Sequence, residues 1–136
     1  MLRKTKLIAL VLCFVMLLAV LAFAVEPFKV KLTLRERYIV MSLFPREGGF
    51  ATIKAITEIK KELLPSDKEV EIAGLVDLPT GGVRAENWLL VVEKEFTFGK
   101  ITKALVEEAL KKLDETKKLT EEHFTLYEKF IIIEEK

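Results

Sequence analysis

The chain has 136 residues, just over half of them apolar and nearly a third charged, with 22 Lys and Arg almost balancing 21 Asp and Glu. That length fits one domain. The charge balance excludes a basic nucleic-acid arm, an acidic tail and a weakly hydrophobic disordered chain. A single Cys (Cys13) and a single His (His123) give no basis for a disulfide framework, a multi-Cys zinc site or a His-based metal centre.

Residues 1–24 differ from the rest. Arg3, Lys4 and Lys6 make a positive start, and the nineteen residues from Leu7 to Val25 carry no charge. Ala22-Phe23-Ala24 places small residues at the −3 and −1 positions of a cut before Val25, so the three parts of a secretory signal are present. The apolar stretch exceeds the usual signal core and nearly matches the ~20 residues of a spanning helix. Two outcomes therefore stay open, a cleaved signal peptide or an uncleaved membrane anchor, with a buried core helix as a third. Both export outcomes put residues 26–136 on the outer side, because the positive start stays inside. Leu12 precedes Cys13 where a lipoprotein cut needs a small residue, so Cys13 reads as apolar filler.

Beyond residue 24 the chain holds 19 basic and 21 acidic residues, a net charge of −2, with no Cys, no Gln and one Asn (Asn87). A Lys- and Glu-rich surface with few amides is a thermophile-like composition.

The exported part reads as one α+β domain over 26–133, built of four to five helices around a central β-hairpin. Residues 26–32 alternate polar and apolar, as a short strand or extended lead-in. Thr33-Leu34-Arg35-Glu36 is a capping box for a helix to about Phe44, stopped by Pro45. Its residues leave almost no polar face, which predicts a central position. Residues 50–64 space Ile53, Ile56, Ile59 and Leu63 along one face of an amphipathic helix. Ser66-Asp67-Lys68-Glu69 repeats the capping box for a short helix closing at Gly74.

A change of period then predicts one hairpin, from Leu75 through the Pro79–Gly82 turn and on from Val83 to Phe98. In that register Trp88, Leu90, Val92, Phe96 and Phe98 face the core. Gly99 stops the strand, and residues 100–118 return to helix with Ile101, Leu105, Val106, Ala109, Leu110 and Leu113 on one face. Glu107–Lys111 and Glu108–Lys112 are spaced as helix ion pairs. Thr120 can cap a last helix carrying Phe124, Tyr127, Phe130 and Ile131. The halves before and after the hairpin each hold a helix pair but do not align as a repeat.

No motif assigns chemistry. His123 stands beside Glu121 and Glu122 at a helix start, where capping and the helix dipole account for all three. Phe98-Gly99-Lys100-Ile101-Thr102 sits where a phosphate loop would, but Lys94 and Ile101 replace the required Gly and Ser/Thr. Gly48-Gly49 and Gly81-Gly82 lack any dinucleotide-binding context. Ser42 and Ser66, the only serines, lie in no nucleophile elbow, and the many Glu residues single out no carboxylate pair. The element order is also that of a winged helix-turn-helix, but residues 66–73 carry Asp67, Glu69 and Glu71 against Lys68, the wrong charge for phosphates. The expected catalytic, cofactor and metal residues are therefore none, and nucleic acid is not an expected partner.

The stretches Leu43–Lys54 and Leu119–Phe130, with Trp88, resemble a group of small uncharacterised bacterial and phage-type proteins over roughly 34–131. The resemblance implies an ancestral cytosolic domain joined here to an export signal, and it brings no activity or site. The expectation is a non-enzymatic domain, secreted or membrane-anchored through residues 7–25, that acts by contact with a protein partner or as an envelope component. A phage-type accessory protein and an enzyme or ligand-binding domain with a concealed site are the alternatives. N-terminal sequencing of the exported protein is expected to start at Val25, or the intact chain to sediment with membranes; a soluble cytoplasmic protein retaining Met1 would contradict both.

Overall fold

A computed structural model describes residues 2–22 and 27–133, with side chains described at 3–13 and 27–133. Leu2–Ala22 form helix α1. Among the described residues no helix is long and apolar enough to cross a membrane. The Ala22-Phe23-Ala24 cut falls largely outside the described residues.

The rest is α+β. Strand β1 (Phe28–Leu32) leads into α2 (Leu34–Leu43), α3 (Phe50–Leu63) and α4 (Asp67–Ala73). Two three-residue strands follow, β2 (Leu75–Asp77) and β3 (Val83–Ala85). A 3₁₀ turn (Trp88–Leu90), β4 (Lys94–Phe98), α5 (Lys100–Glu115) and α6 (Glu121–Tyr127) complete the order, α6 running on into a π-helical turn over Glu128–Ile132.

The single long hairpin expected over 75–98 is not what forms. β2 pairs only with β3, while β4 turns back and pairs antiparallel with β1, Val30 opposite Phe96 and Leu32 opposite Lys94. Two local bonds divide the run. The Ala73 carbonyl accepts the amides of Glu86 (3.1 Å) and Asn87 (3.0 Å), which ties the chain to the end of α4 and ends β3. Residues 88–90 then wind as a 3₁₀ turn, and the period-2 parity is lost. Phe96 and Phe98 are buried as expected, but Leu90 and Val92 are exposed, Val91 takes the inward position, and Trp88 is half-buried.

The capping boxes at Thr33 and Ser66 both form. Gly74 closes α4 at φ +63°, a left-handed conformation that favours glycine. Gly81 (φ +85°) and Gly82 (φ +91°) make the β2–β3 turn, where the Leu78 amide donates to the Gly82 carbonyl and the Leu78 carbonyl accepts the Gly81 amide.

Strand alternation decides which face of the β1–β4 pair is covered. Val30, Leu32, Phe96 and Phe98 point into the core with Val40, Ile56, Ile59, Leu63, Val106, Leu110, Leu126 and Phe130. Lys29, Lys31, Glu95 and Thr97 occupy the opposite, exposed face. Phe28, Phe98 and Phe130 meet with ring centroids 5.2–6.4 Å apart. A smaller cluster of Leu34, Ala73 and Val91, flanked by Tyr38 and Trp88, holds α4 and the 3₁₀ turn against α2. Strand–helix–helix thus occurs twice, as β1-α2-α3 and β4-α5-α6, joined through the strand pair.

Phe98→Ala is expected to cost about 3–5 kcal/mol in denaturant unfolding, whereas Val92→Ser should leave the midpoint nearly unchanged. Comparable losses at both positions would restore the long-hairpin register.

Candidate functional site

α2 is central, but it is not free of buried charge. Its Arg37 is 0% exposed and Glu36 6% exposed. Arg37 donates through both terminal nitrogens to Glu69 of α4, Nη1 to Oε1 at 3.1 Å and Nη2 to Oε2 at 2.7 Å. Its guanidinium also lies 5.1 Å from the Phe96 ring centroid. Glu69 is at the same time the capping residue of α4, its Oε1 accepting the Ser66 amide at 3.1 Å. The Arg37 hydrogen bonds hold the Glu69 carboxyl below the usual carboxylate range, against the opposing effect of burial.

Glu36 plays the matching part at α2. Oε1 accepts the Thr33 amide (3.2 Å) and the Lys129 ammonium (2.9 Å), while Oε2 is buried with no hydrogen-bond partner. Lys129 stands in the π-helical turn and also donates to the Lys31 carbonyl (2.7 Å) and to Glu93 Oε1 (2.7 Å). Burial pulls the Lys129 ammonium down, but the hydrogen bonds to Glu93 and Glu36 outweigh it and set it above the ordinary lysine value. Tyr38, beside this network, is raised by burial and by the Asp77 charge.

Above the network lie two adjoining clefts. One, about 380 Å³, is lined by Thr33, Arg35, Glu86, Asn87, Trp88 and Leu89. The other, about 250 Å³, shares Thr33 and Arg35 and adds Glu36, Ile39, Glu121, Glu122 and Thr125. Arg35 is paired with Glu122 across the second. Trp88 is set edge-on to Tyr38, centroids 5.8 Å apart at 75°. The turn thus fixes Trp88 from below and leaves Leu89 at 96%, Val92 at 83% and Leu90 at 60% exposure.

His123 is the third residue of α6, and its Nδ1 accepts the Thr120 amide at 3.1 Å, the place taken by Glu in the other two boxes. Ser42 donates to the Ile39 carbonyl of its own helix at 2.6 Å. Gly99 ends β4 and caps α5. Glu107 pairs with Lys103, one turn before it, rather than with the expected Lys111 one turn after it, at 3.5 Å. Among the described residues, no group of three or more His, Cys, Asp or Glu is placed to hold a metal ion. The burial of Glu36 and Arg37, and the half-buried Lys129 that meets Glu36, do not follow from the sequence pattern. The available signal was Arg37 beside the apolar run Tyr38–Met41 of a helix expected to be central, where a charge requires a partner. No protein-family model, curated protein or solved structure matches the chain.

Two outcomes are expected. Lys129→Met strands the buried Glu36 carboxylate and should cost about 3 kcal/mol, the low end for breaking a buried pair because the ammonium is partly solvated. For Glu69, a carboxyl lowered in the folded state adds stability above its unfolded pKa and loses it as pH falls through the folded value. Wild-type stability should therefore decline as pH drops below about 4.5, and Glu69→Gln, less stable at neutral pH, should show a shallower acid decline in pH-dependent urea unfolding.

Proposed function

We propose that the chain is an exported domain, secreted after cleavage or held by an uncleaved N-terminal anchor, that works by contact with a protein partner rather than by chemistry of its own. The positive start, the apolar run from Leu7 to Val25 and Ala22-Phe23-Ala24 support export. The observation that carries the contact reading is the 86–92 segment. A mobile loop can expose apolar residues without purpose, but this segment is pinned by the Ala73 carbonyl, by Val91 in the core and by Trp88 against Tyr38. A fixed cluster of exposed Leu89, Leu90 and Val92 keeps an apolar patch in water, the usual mark of an interaction surface.

Its place in the fold favours a partner over the lipid surface. The described domain begins at Phe28, opposite Phe98, whereas the 86–92 segment feeds into Lys94, opposite Leu32. Those ends are about 13 Å apart along the strand. The patch thus lies at the end of the sheet remote from the chain's entry.

Replacing Leu89, Leu90 and Val92 together by Ser should leave the melting temperature within a few degrees of wild type, since their burial contributes little. The same variant should abolish the adduct formed by a photo-crosslinking residue at Asn87, exposed beside the patch, in producing cells. An undiminished adduct, or exported protein confined to the cytoplasm, would refute the proposal.

A further inference from the structure

We infer that the paired clefts beside Trp88 seat a basic side chain, lysine or arginine, of the protein partner docked on the 86–92 segment; this rests on the contact reading above. Four carboxylates, those of Glu36, Glu86, Glu121 and Glu122, line the two clefts against the single guanidinium of Arg35. Arg35 is spent on Glu122, and Lys129 is shared between Glu36 and Glu93. Glu86 and Glu121 have no cationic partner among the described residues. A second feature points the same way: Glu36, 6% exposed, lines the cleft with its Oε2 lacking any hydrogen-bond partner. Lys129 answers the Glu36 charge at Oε1, and Oε2 is left as a buried acceptor without a donor.

The shape of the lining selects among cations. The carboxylates are not grouped closely enough to hold a metal ion. Trp88 and Leu89 instead offer an aromatic and an aliphatic wall. A lysine or arginine side chain matches both, laying its methylenes along Leu89 and its charge near the Trp88 ring and the acidic wall. The same negative wall repels a nucleic-acid strand or an anionic lipid headgroup. Docking through exposed apolar residues with a flanking cation is then guided by complementary charge.

Trp88 is the chain's only Trp and sits in the cleft, so its emission reports occupancy directly. The full-length protein in detergent is titrated with a short blocked peptide of alternating leucine and lysine. The same peptide with serine or glutamate in place of lysine, and free 1,5-diaminopentane, are run beside it. The leucine–lysine peptide should change Trp88 emission saturably, and added salt should weaken it. The glutamate peptide should not bind. Glu86→Gln, which lies outside every helix, should weaken the lysine peptide several-fold, and Glu86→Gln with Glu121→Gln about tenfold, a difference near 1.4 kcal/mol. Equal binding of lysine and serine peptides, or no effect of Glu86→Gln, would overturn the cation seat while leaving the apolar docking surface standing. A diamine that binds as tightly as the peptide would replace the protein partner by a small-molecule cation. Silence from every peptide would overturn both readings.

Discussion

Two capping glutamates hold this domain together. Glu36 and Glu69 each occupy the third position of a helix, accept the cap amide there, and accept a distant cation with the same carboxylate. A local device that sets where a helix begins is thereby made to set what the helix packs against. Glu69 fixes α4 to Arg37 in the middle of α2, and Glu36 fixes the start of α2 to Lys129 in the last helical turn. His123 caps α6 in the same place with a neutral acceptor nitrogen and draws no buried cation. A buried ion pair does not by itself add net stability over a well-packed apolar substitute. What these pairs supply is register: Arg37 and Lys129 have one arrangement in which each meets its capping carboxylate.

That register reaches the surface. Arg37 lies under Phe96 of the strand pair and is tied to α4, and α4 in turn holds Glu86 and Asn87 through the Ala73 carbonyl. The exposed Leu89 and Leu90 are therefore carried on a turn whose two ends are both fixed to the core. An apolar patch of this kind is costly in water, and its rigid mounting means that little ordering is lost when it is covered.

Local signals carried most of the architecture. Both capping boxes, the Gly74 stop, the amphipathic α3 and α5 and the extended character of 26–32 follow from residue spacing, because each depends on neighbours within a few positions. The long hairpin failed for the opposite reason. Val83 to Phe98 is apolar and β-branched enough to run as one strand, and only the Ala73 carbonyl, brought near by α4, divides it. Pairing of β4 with β1 is equally hidden, since nothing in Lys94–Phe98 names Phe28–Leu32 as its neighbour. The site shows the same limit. Glu121, Glu122 and His123 were visible as a helix start, but the apposition of Glu121 and Glu122 to Arg35 and Glu36 depends on how α6 crosses α2. Trp88 was expected inward on strand parity, and the 3₁₀ turn places it at the boundary between core and cleft.

The pairing of β1 with β4 and of Glu36 with Lys129, residues 93 apart in the chain, also bears on the order in which the domain can form. The first strand has no partner until residues 94–98 are available, and the buried carboxylate of Glu36 is not answered until Lys129 arrives. The early helices α2 and α3 can form locally, but they have no sheet to close upon. Contacts this distant impose a large loop-closure cost before any return. A chain that emerges N-terminus first would therefore stay open for most of its length and lock only when its last quarter is present.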